Sequence, residues 1–155
     1  MTRKEKRRAA QIYLERIRKL DTKIRIKEES LEEVKSSLGY KARGYLERVQ
    51  TSISLDGVCD AVIELLELEA EIGRCRTEYY RQKEKIVTEL FSMEKRVYID
   101  VLSYRYLKYM DFEYIGEALK YSQRHITRLH GEALVSFYDM VLSKKEEKDE
   151  KKDGD

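Results

Sequence analysis

The sequence predicts an all-α protein, and three observations support this prediction. Of the 155 residues, 40% are charged and 41% are hydrophobic. Proline is absent and there are only seven glycines. This composition favours long helices with narrow apolar stripes. Apolar residues also recur at steps of three and four along much of the chain, which is the spacing of one helix face.

The first third of the chain has the pattern of a coiled-coil helix. An apolar seam about four heptads long runs through it, and charged residues fill the other positions. The seam consists of Ala10, Tyr13, Ile17, Leu20, Ile24, Leu31, Val34 and Leu38. The pattern is lost around Gly39 and Gly44, and small polar residues follow. We therefore place a loop at about residues 39–55.

A second apolar seam predicts another long helix after this loop, with Ser54 or Asp56 as its N-cap. Its residues lie seven apart at Val58, Leu65, Ile72, Tyr79 and Ile86. Two helices with one apolar stripe each bury those stripes most economically against each other, as an antiparallel hairpin over residues 1–92. Pairing between two copies, in a homodimer held by the coiled-coil helices, is the alternative, because heptads do not specify the partner chain.

Residues 93–142 have a different pattern, in which short helices follow one another. A helix ends near Met110, and Asp111 and Ser122 are good N-caps for a helix at Phe112–Leu119 and another from Gln123. Each cap follows a residue suited to a hydrophobic staple, Met110 with Ile115 and Tyr121 with Ile126. The interior Gly116 would let the next helix approach closely. These are the parts of a C-terminal three-helix helix-turn-helix domain.

The helix from Gln123 presents two different faces. Its apolar stripe consists of Ile126, Leu129, Ala133 and Phe137, and the opposite side presents Arg124, Arg128 and Gly131, with Thr127 at the flank. Arg and Gln side chains read guanine and adenine edges, and the first two turns of a recognition helix enter the major groove. The candidate DNA-binding residues are therefore Gln123, Arg124, His125, Thr127 and Arg128.

The charge balance limits what one such domain can bind. The net charge is +2, and residues 95–142 contain seven Lys or Arg against six Asp or Glu. With so few candidate phosphate contacts, a monomer should bind double-stranded DNA weakly and with strong salt dependence. A dimer, the basic segment RKEKRR at residues 3–8, or a protein partner must supply the remainder.

Residues 101–134 resemble region 4 of the sigma-70 class, which recognises the -35 promoter element and contacts RNA polymerase. The resemblance rests on three segments: VLSYRY at residues 101–106, EYIG at residues 113–116 where EEIG is usual, and the helix at residues 122–134. A helical hairpin followed by such a region is similar to small phage-encoded late transcriptional regulators of the ArpU and RinA type. His130 departs from the acidic residue usual in region 4.

This resemblance implies a phage or prophage transcriptional regulator that acts at a promoter with host RNA polymerase, in the bacterial cytoplasm. It places Gln123, Arg124, Thr127 and Arg128 where region 4 contacts bases and phosphates. Two alternatives stay open: an adaptor that binds RNA polymerase without binding DNA, and the small subunit of a DNA-packaging terminase.

Other kinds of site are not expected. His125 and His130 do not have a zinc-ligand spacing, and Cys59 and Cys75 are too far apart along one helix to form a disulfide. The sequence has no phosphate loop and no nucleophile with its base, so we expect no enzyme, cofactor, metal or small-molecule substrate. No apolar run reaches the length of a membrane span. The charged tail at residues 143–155 is expected to be disordered.

Overall fold

The computed structural model describes the backbone of residues 1–47 and 56–152 and the side chains of residues 1–40, 59–149 and 151–152. Every regular element in these ranges is helical, which confirms the all-α prediction. The elements are α1 (Arg3–Glu47), α2 (Asp56–Phe91), α3 (Arg96–Tyr106), α4 (Phe112–Leu119), α5 (Gln123–Phe137), a π-helical turn (Tyr138–Leu142) and α6 (Ser143–Lys152).

The first long helix ends later than the sequence predicted. Helix α1 continues through Gly39 to Glu47, whereas the loop was expected to begin at residue 39. A glycine inside a helix costs only about 1 kcal/mol relative to Ala, and its neighbours here include good helix formers and no proline. Helix α2 begins at Asp56. The predicted N-cap Ser54 and the side chain of Asp56 lie outside the described residues.

The chain forms two compact units, Met1–Lys19 with Arg81–Asp155, and Leu20–Tyr80. This division differs from the predicted boundary between residues 92 and 93. The start of α1 and the end of α2 belong with the C-terminal helices, because their side chains contact those helices directly. Tyr13 of α1, for example, packs its ring against Phe137 of α5, with 5.9 Å between the ring centroids.

Ion pairs join α1 to α2 within the unit Leu20–Tyr80. Lys27 lies 2.5 Å from Glu71, and Arg76 forms a short pair with Glu28. The Lys27 ammonium lowers the pKa of the Glu71 carboxyl, chiefly by donating a hydrogen bond to it. These groups are partly or largely exposed, so each pair contributes little to stability. The buried apolar residues in the described part of this unit are Ile24, Ala61 and Ile72.

The other unit has a core to which several helices contribute. Helices α3 and α4 both pack on α5. The predicted inner stripe of α5 is buried at every position, Ile126, Leu129, Ala133 and Phe137. Leu14 and Ile17 of α1, Ile86 and Leu90 of α2, and Val101 and Leu102 of α3 are also buried. None of the described helices is both long enough and apolar enough to cross a membrane.

The C-terminal tail is helical where disorder was expected. Helix α6 extends to Lys152, and residues 153–155 lie outside the described part of the chain. Lys145 donates a hydrogen bond to the Tyr13 hydroxyl at 2.7 Å and pairs with the Glu89 carboxylate. The Tyr138 hydroxyl donates to Glu146 at 2.6 Å. Lys and Glu are good helix formers. The contacts of α6 also offset the entropy cost of ordering the tail, which was the reason for expecting disorder from its composition.

The π-helical turn between α5 and α6 was not predicted. Around it, buried residues occur as adjacent pairs at intervals of four, Ala133 with Leu134, Phe137 with Tyr138, and Val141 with Leu142. An ordinary α-helix has 3.6 residues per turn, so an interval of four drifts around its surface. The wider π turn reduces this drift and keeps all three pairs on the core side.

Candidate nucleic-acid interface

The corner between α4 and α5 depends on Gly116. Helix α4 ends at Leu119, and its C-cap Lys120 has a left-handed conformation with φ 60° and ψ 42°. Tyr121 donates its backbone N–H to the Gly116 carbonyl at 2.9 Å. A Cβ placed on Gly116 would lie 2.6 Å from the Tyr121 carbonyl oxygen. Only glycine leaves room for the chain to turn this tightly, which supports the close approach expected from the sequence.

The two predicted N-caps behave differently. The Ser122 hydroxyl accepts a hydrogen bond from the His125 backbone N–H at 3.2 Å, which confirms it as the cap of α5. Asp111 occupies the N-cap position of α4, but its side chain makes no capping hydrogen bond. Its Oδ1 instead accepts from Arg105 at 3.3 Å, and Arg105 also donates to the Met110 carbonyl at 3.0 Å. The prediction of a capping side chain at Asp111 is therefore wrong, because the charged guanidinium competes for that carboxylate.

The apolar anchors of the corner are in place. Ile115 and Ile126, the inner members of the two predicted staples, are fully buried. The ring of Tyr121 lies against His125, with 4.8 Å between the ring centroids, and 46% of the Tyr121 side chain stays exposed. The pairing of Tyr121 with Ile126 stays a prediction.

The N-terminal half of α5 carries the predicted site on its outer side. Gln123, Arg124, Thr127 and Arg128 are exposed, and His125 is half-buried beside them. Arg124 has no hydrogen bond or ion pair with another residue in the described ranges. The Thr127 hydroxyl donates to the Gln123 carbonyl at 2.9 Å. The structure thus brings the five predicted residues together within two helical turns.

Arg128 is held loosely. Its guanidinium lies 3.8 Å from the Glu132 carboxylate and 3.3 Å from Nδ1 of His125, and its side chain is 68% exposed. Glu132 also accepts a hydrogen bond from the Tyr98 hydroxyl at 3.1 Å. An exposed ion pair at this distance contributes well under 1 kcal/mol, so an anionic ligand can replace Glu132 at small cost.

Gly131 lies on the expected outward face of α5 but is partly covered. The side chain of Arg7, from the start of α1, covers it, and Arg7 Nε donates to the Gly131 carbonyl at 3.1 Å. A Cβ on Gly131 would lie 3.0 Å from Cζ of Arg7. Sequence reasoning missed this contact because the two residues are 124 positions apart. The available signals were an interior helix glycine and the basic segment at residues 3–8, but nothing in the sequence connected them.

His130 is a packing residue next to the site. Its ring lies 4.9 Å from Phe112 and 5.7 Å from Tyr106, and its Nε2 is 3.0 Å from the Tyr106 hydroxyl. Burial lowers the pKa of His130 to about 4, and the charges of Arg105 and Arg7 act in the same direction. His130 is therefore neutral at pH 7. Its contacts show a satisfied histidine, a role that the sequence left open.

Metal ligation has no support in the described residues, which include no group of three His, Cys, Asp or Glu side chains that could hold an ion. Cys59 and Cys75 are both free thiols.

Comparisons of the chain with protein-family models, curated proteins and solved structures found no match. The chemistry of α5 and its surroundings is therefore the basis for inferring a function.

Proposed function

We propose that this protein is a sequence-specific DNA-binding transcriptional regulator of phage or prophage origin that acts at a promoter together with host RNA polymerase. The observation that carries the proposal is the exposure of Arg124 and Arg128 on the outer face of α5. The opposite face of the same helix is locked into the core through Ile126 and Leu129. A helix fixed on one side and basic on the other is suited to enter a DNA groove.

The proposed architecture is an antiparallel helical hairpin with a helix-turn-helix domain. Contacts of α3 and α4 with α5, together with the tight corner at Gly116, support the helix-turn-helix interpretation. The order of the ion pairs supports the hairpin. Glu28 pairs with Arg76, whereas the later residue Lys35 lies near the earlier residue Glu69.

The proposed recognition chemistry follows from the side chains. Gln123 and Arg124 stand in the first turn of α5, where they reach base edges when the N-terminal half of the helix enters the major groove. Arg forms bidentate hydrogen bonds with guanine and Gln with adenine, each worth about 1–3 kcal/mol of discrimination. Arg124 and Arg128 also repel each other weakly as an i, i+4 pair of like charge. Bound phosphate or base acceptors remove that repulsion.

The test begins with selection of binding sites from a random double-stranded library by the purified protein. We expect one enriched sequence, and changing both Arg124 and Arg128 to Ala should abolish its enrichment. Arg74→Ala is the matched control, because Arg74 is an exposed arginine on α2 outside this unit. If the double variant selects the same sequence with the same affinity at low salt, the proposal is wrong.

A second candidate function is an RNA polymerase adaptor that does not bind DNA. The observation that favours it is the outer surface of α4, where Glu113, Tyr114 and Glu117 are exposed, Tyr114 to 59%. Carboxylates repel phosphate, whereas an exposed tyrosine between them suits a protein partner. Capture of purified polymerase without DNA, lost on Tyr114→Ala but kept in the double arginine variant, would support this candidate over the first.

A homodimer is also part of the proposal, formed through an exposed surface of α2 that is separate from the heptad seams. Helix α2 exposes Val62, Ile63 and Leu66 on neighbouring positions, and Leu66 is 57% exposed. Pairing of two such surfaces would bury them and would present two copies of α5 to two half-sites. Sedimentation should show a dimer that Leu66→Glu dissociates; a wild-type monomer at tens of micromolar would exclude this part.

A further inference from the structure

We infer that the nucleic-acid surface is composite, with the basic start of α1 extending the outer stripe of α5 and binding the phosphate backbone beside the groove. This inference rests on the proposed DNA-binding function and assigns a role to a segment outside the helix-turn-helix. The residue that joins the two parts is Arg7.

The geometry of the stripe places Arg7 in line with the two arginines of α5. Arg124, Arg128 and position 131 follow one another at steps of four and three, which is one face of a helix about 10 Å long. The third position is Gly131 and has no side chain of its own. The Arg7 guanidinium fills its place, with Cζ, Nη2 and Nε at 3.0, 3.1 and 3.2 Å from where a Cβ would stand. The outer stripe therefore carries three guanidinium groups.

The charge of Arg7 is not neutralised by a carboxylate within the described ranges. Its neighbour Lys6 makes the structural ion pair, with Asp139 at 2.6 Å, and so holds the start of α1 against this unit. Arg7 uses Nε for the Gly131 carbonyl, which orients the guanidinium plane. The pKa of His130 is lowered chiefly by burial, and the charges of Arg105 and Arg7 lower it further.

Phosphate is the ligand that this position suits. Gly131 lies past the first two turns of α5, where a recognition helix leaves the groove and passes the sugar-phosphate backbone. A guanidinium fork matches two phosphate oxygens, and Lys4 and Arg8 are exposed on the same flank of α1 as Arg7. Residues 3–8 carry five basic side chains against one acidic side chain, whereas residues 95–142 are nearly balanced. The composite surface thereby supplies charge that the helix-turn-helix lacks.

The test measures salt dependence, because phosphate contacts are independent of sequence. The probe is a mixed-sequence duplex of roughly 25 base pairs, more than two helical turns. Binding is followed by fluorescence anisotropy at several salt concentrations for wild type, Arg7→Gln, Gly131→Ala and the control Arg74→Gln. We expect Arg7→Gln to reduce the slope of log affinity against log salt by about one unit, the value for one lost phosphate contact. An Ala at position 131 forces the Arg7 guanidinium to shift slightly, so Gly131→Ala should act in the same direction with a smaller effect. Arg74→Gln should match wild type.

The outcomes separate this inference from the function on which it rests. If the double variant Arg124→Ala/Arg128→Ala binds more weakly but Arg7→Gln keeps the wild-type slope of log affinity against log salt, the inference of a composite surface is wrong. The DNA-binding proposal then stands. A wild-type protein without salt-dependent DNA affinity would overturn both. Equal losses in Arg7→Gln and Arg74→Gln would show a general charge effect and would overturn the inference. A folded circular dichroism spectrum of Arg7→Gln is required, and Gly131→Ala provides an independent variant.

Discussion

The carbonyl oxygen of Tyr121 lies 2.6 Å from the point that a Cβ on Gly116 would occupy. The oxygen belongs to the backbone, and a Cβ is held in place by the backbone that carries it, so neither could rotate away. The separation of α4 from the turn that follows it is therefore fixed by the absence of one methyl group. The corner that presents α5 therefore depends on a single glycine.

Gly116→Ala should lower the free energy of unfolding by about 1–3 kcal/mol, the usual cost of overpacking a tight site. Gly73→Ala is the matched control, because no atom lies within 4 Å of its Cβ position and Ala is the better helix former. We expect the unfolding free energy of Gly73→Ala to equal that of wild type or to exceed it by up to about 1 kcal/mol. Denaturant unfolding compares the two; equal stabilities would contradict the role given to Gly116.

Stability should depend on pH through His130. Its pKa falls from 6.5 to about 4 on folding, so the unfolded chain binds a proton first as the pH decreases. The part of the unfolding free energy that depends on a neutral His130 is fully present above pH 6.5. It decreases by up to roughly 3 kcal/mol as the pH falls from 6.5 to about 4. His130→Gln removes the titration. The difference in unfolding free energy between wild type and this variant, measured at pH 7 and pH 5, should shrink at the lower pH; a constant difference would exclude the mechanism.

Glu132 should restrain Arg128 and weaken DNA binding. Glu132→Gln removes the carboxylate 3.8 Å from the guanidinium but retains an oxygen that can accept from Tyr98. We expect tighter binding to a mixed-sequence duplex, by a few-fold at low salt, with an unfolding free energy within about 0.5 kcal/mol of wild type. Glu147→Gln makes the same charge change at an exposed residue of α6. If both variants gain equally, the effect is one of net charge only.

The anchor of α6 should depend on Lys145. The Glu89 side chain is only 12% exposed, so removing Lys145 leaves a largely buried carboxylate with one hydrogen-bonding partner fewer. Lys145→Ala should cost about 1–3 kcal/mol, as for a lost hydrogen bond between charged groups, and should speed amide exchange in α6. Lys144→Ala, at the exposed neighbouring position, should change neither quantity. Identical exchange in the two variants would show that α6 is held by other contacts.

Local chemistry explains which elements the sequence could predict. The bounds of α4 and the start of α5 agree with the prediction, because turn residues and apolar spacing act over a few positions. The capping role of Asp111 failed where Arg105 competes for its carboxylate. The helical tail and the contact of Arg7 with Gly131 depend on partners more than fifty residues away, such as Glu89 for Lys145. Such pairings leave no periodic signal in the chain.

The π-helical turn at Tyr138–Leu142 gives the C-terminal end of the chain a defined angular phase. If the same five residues wound as an ordinary α-helix, at about 100° per residue, they would turn further around the helix axis than the wider π turn does, and every later side chain would be rotated accordingly. Lys145 would then face away from Glu89, although its own sequence neighbourhood would be unchanged. The winding of this turn, more than the composition of α6, therefore determines which side of the last helix meets the rest of the molecule.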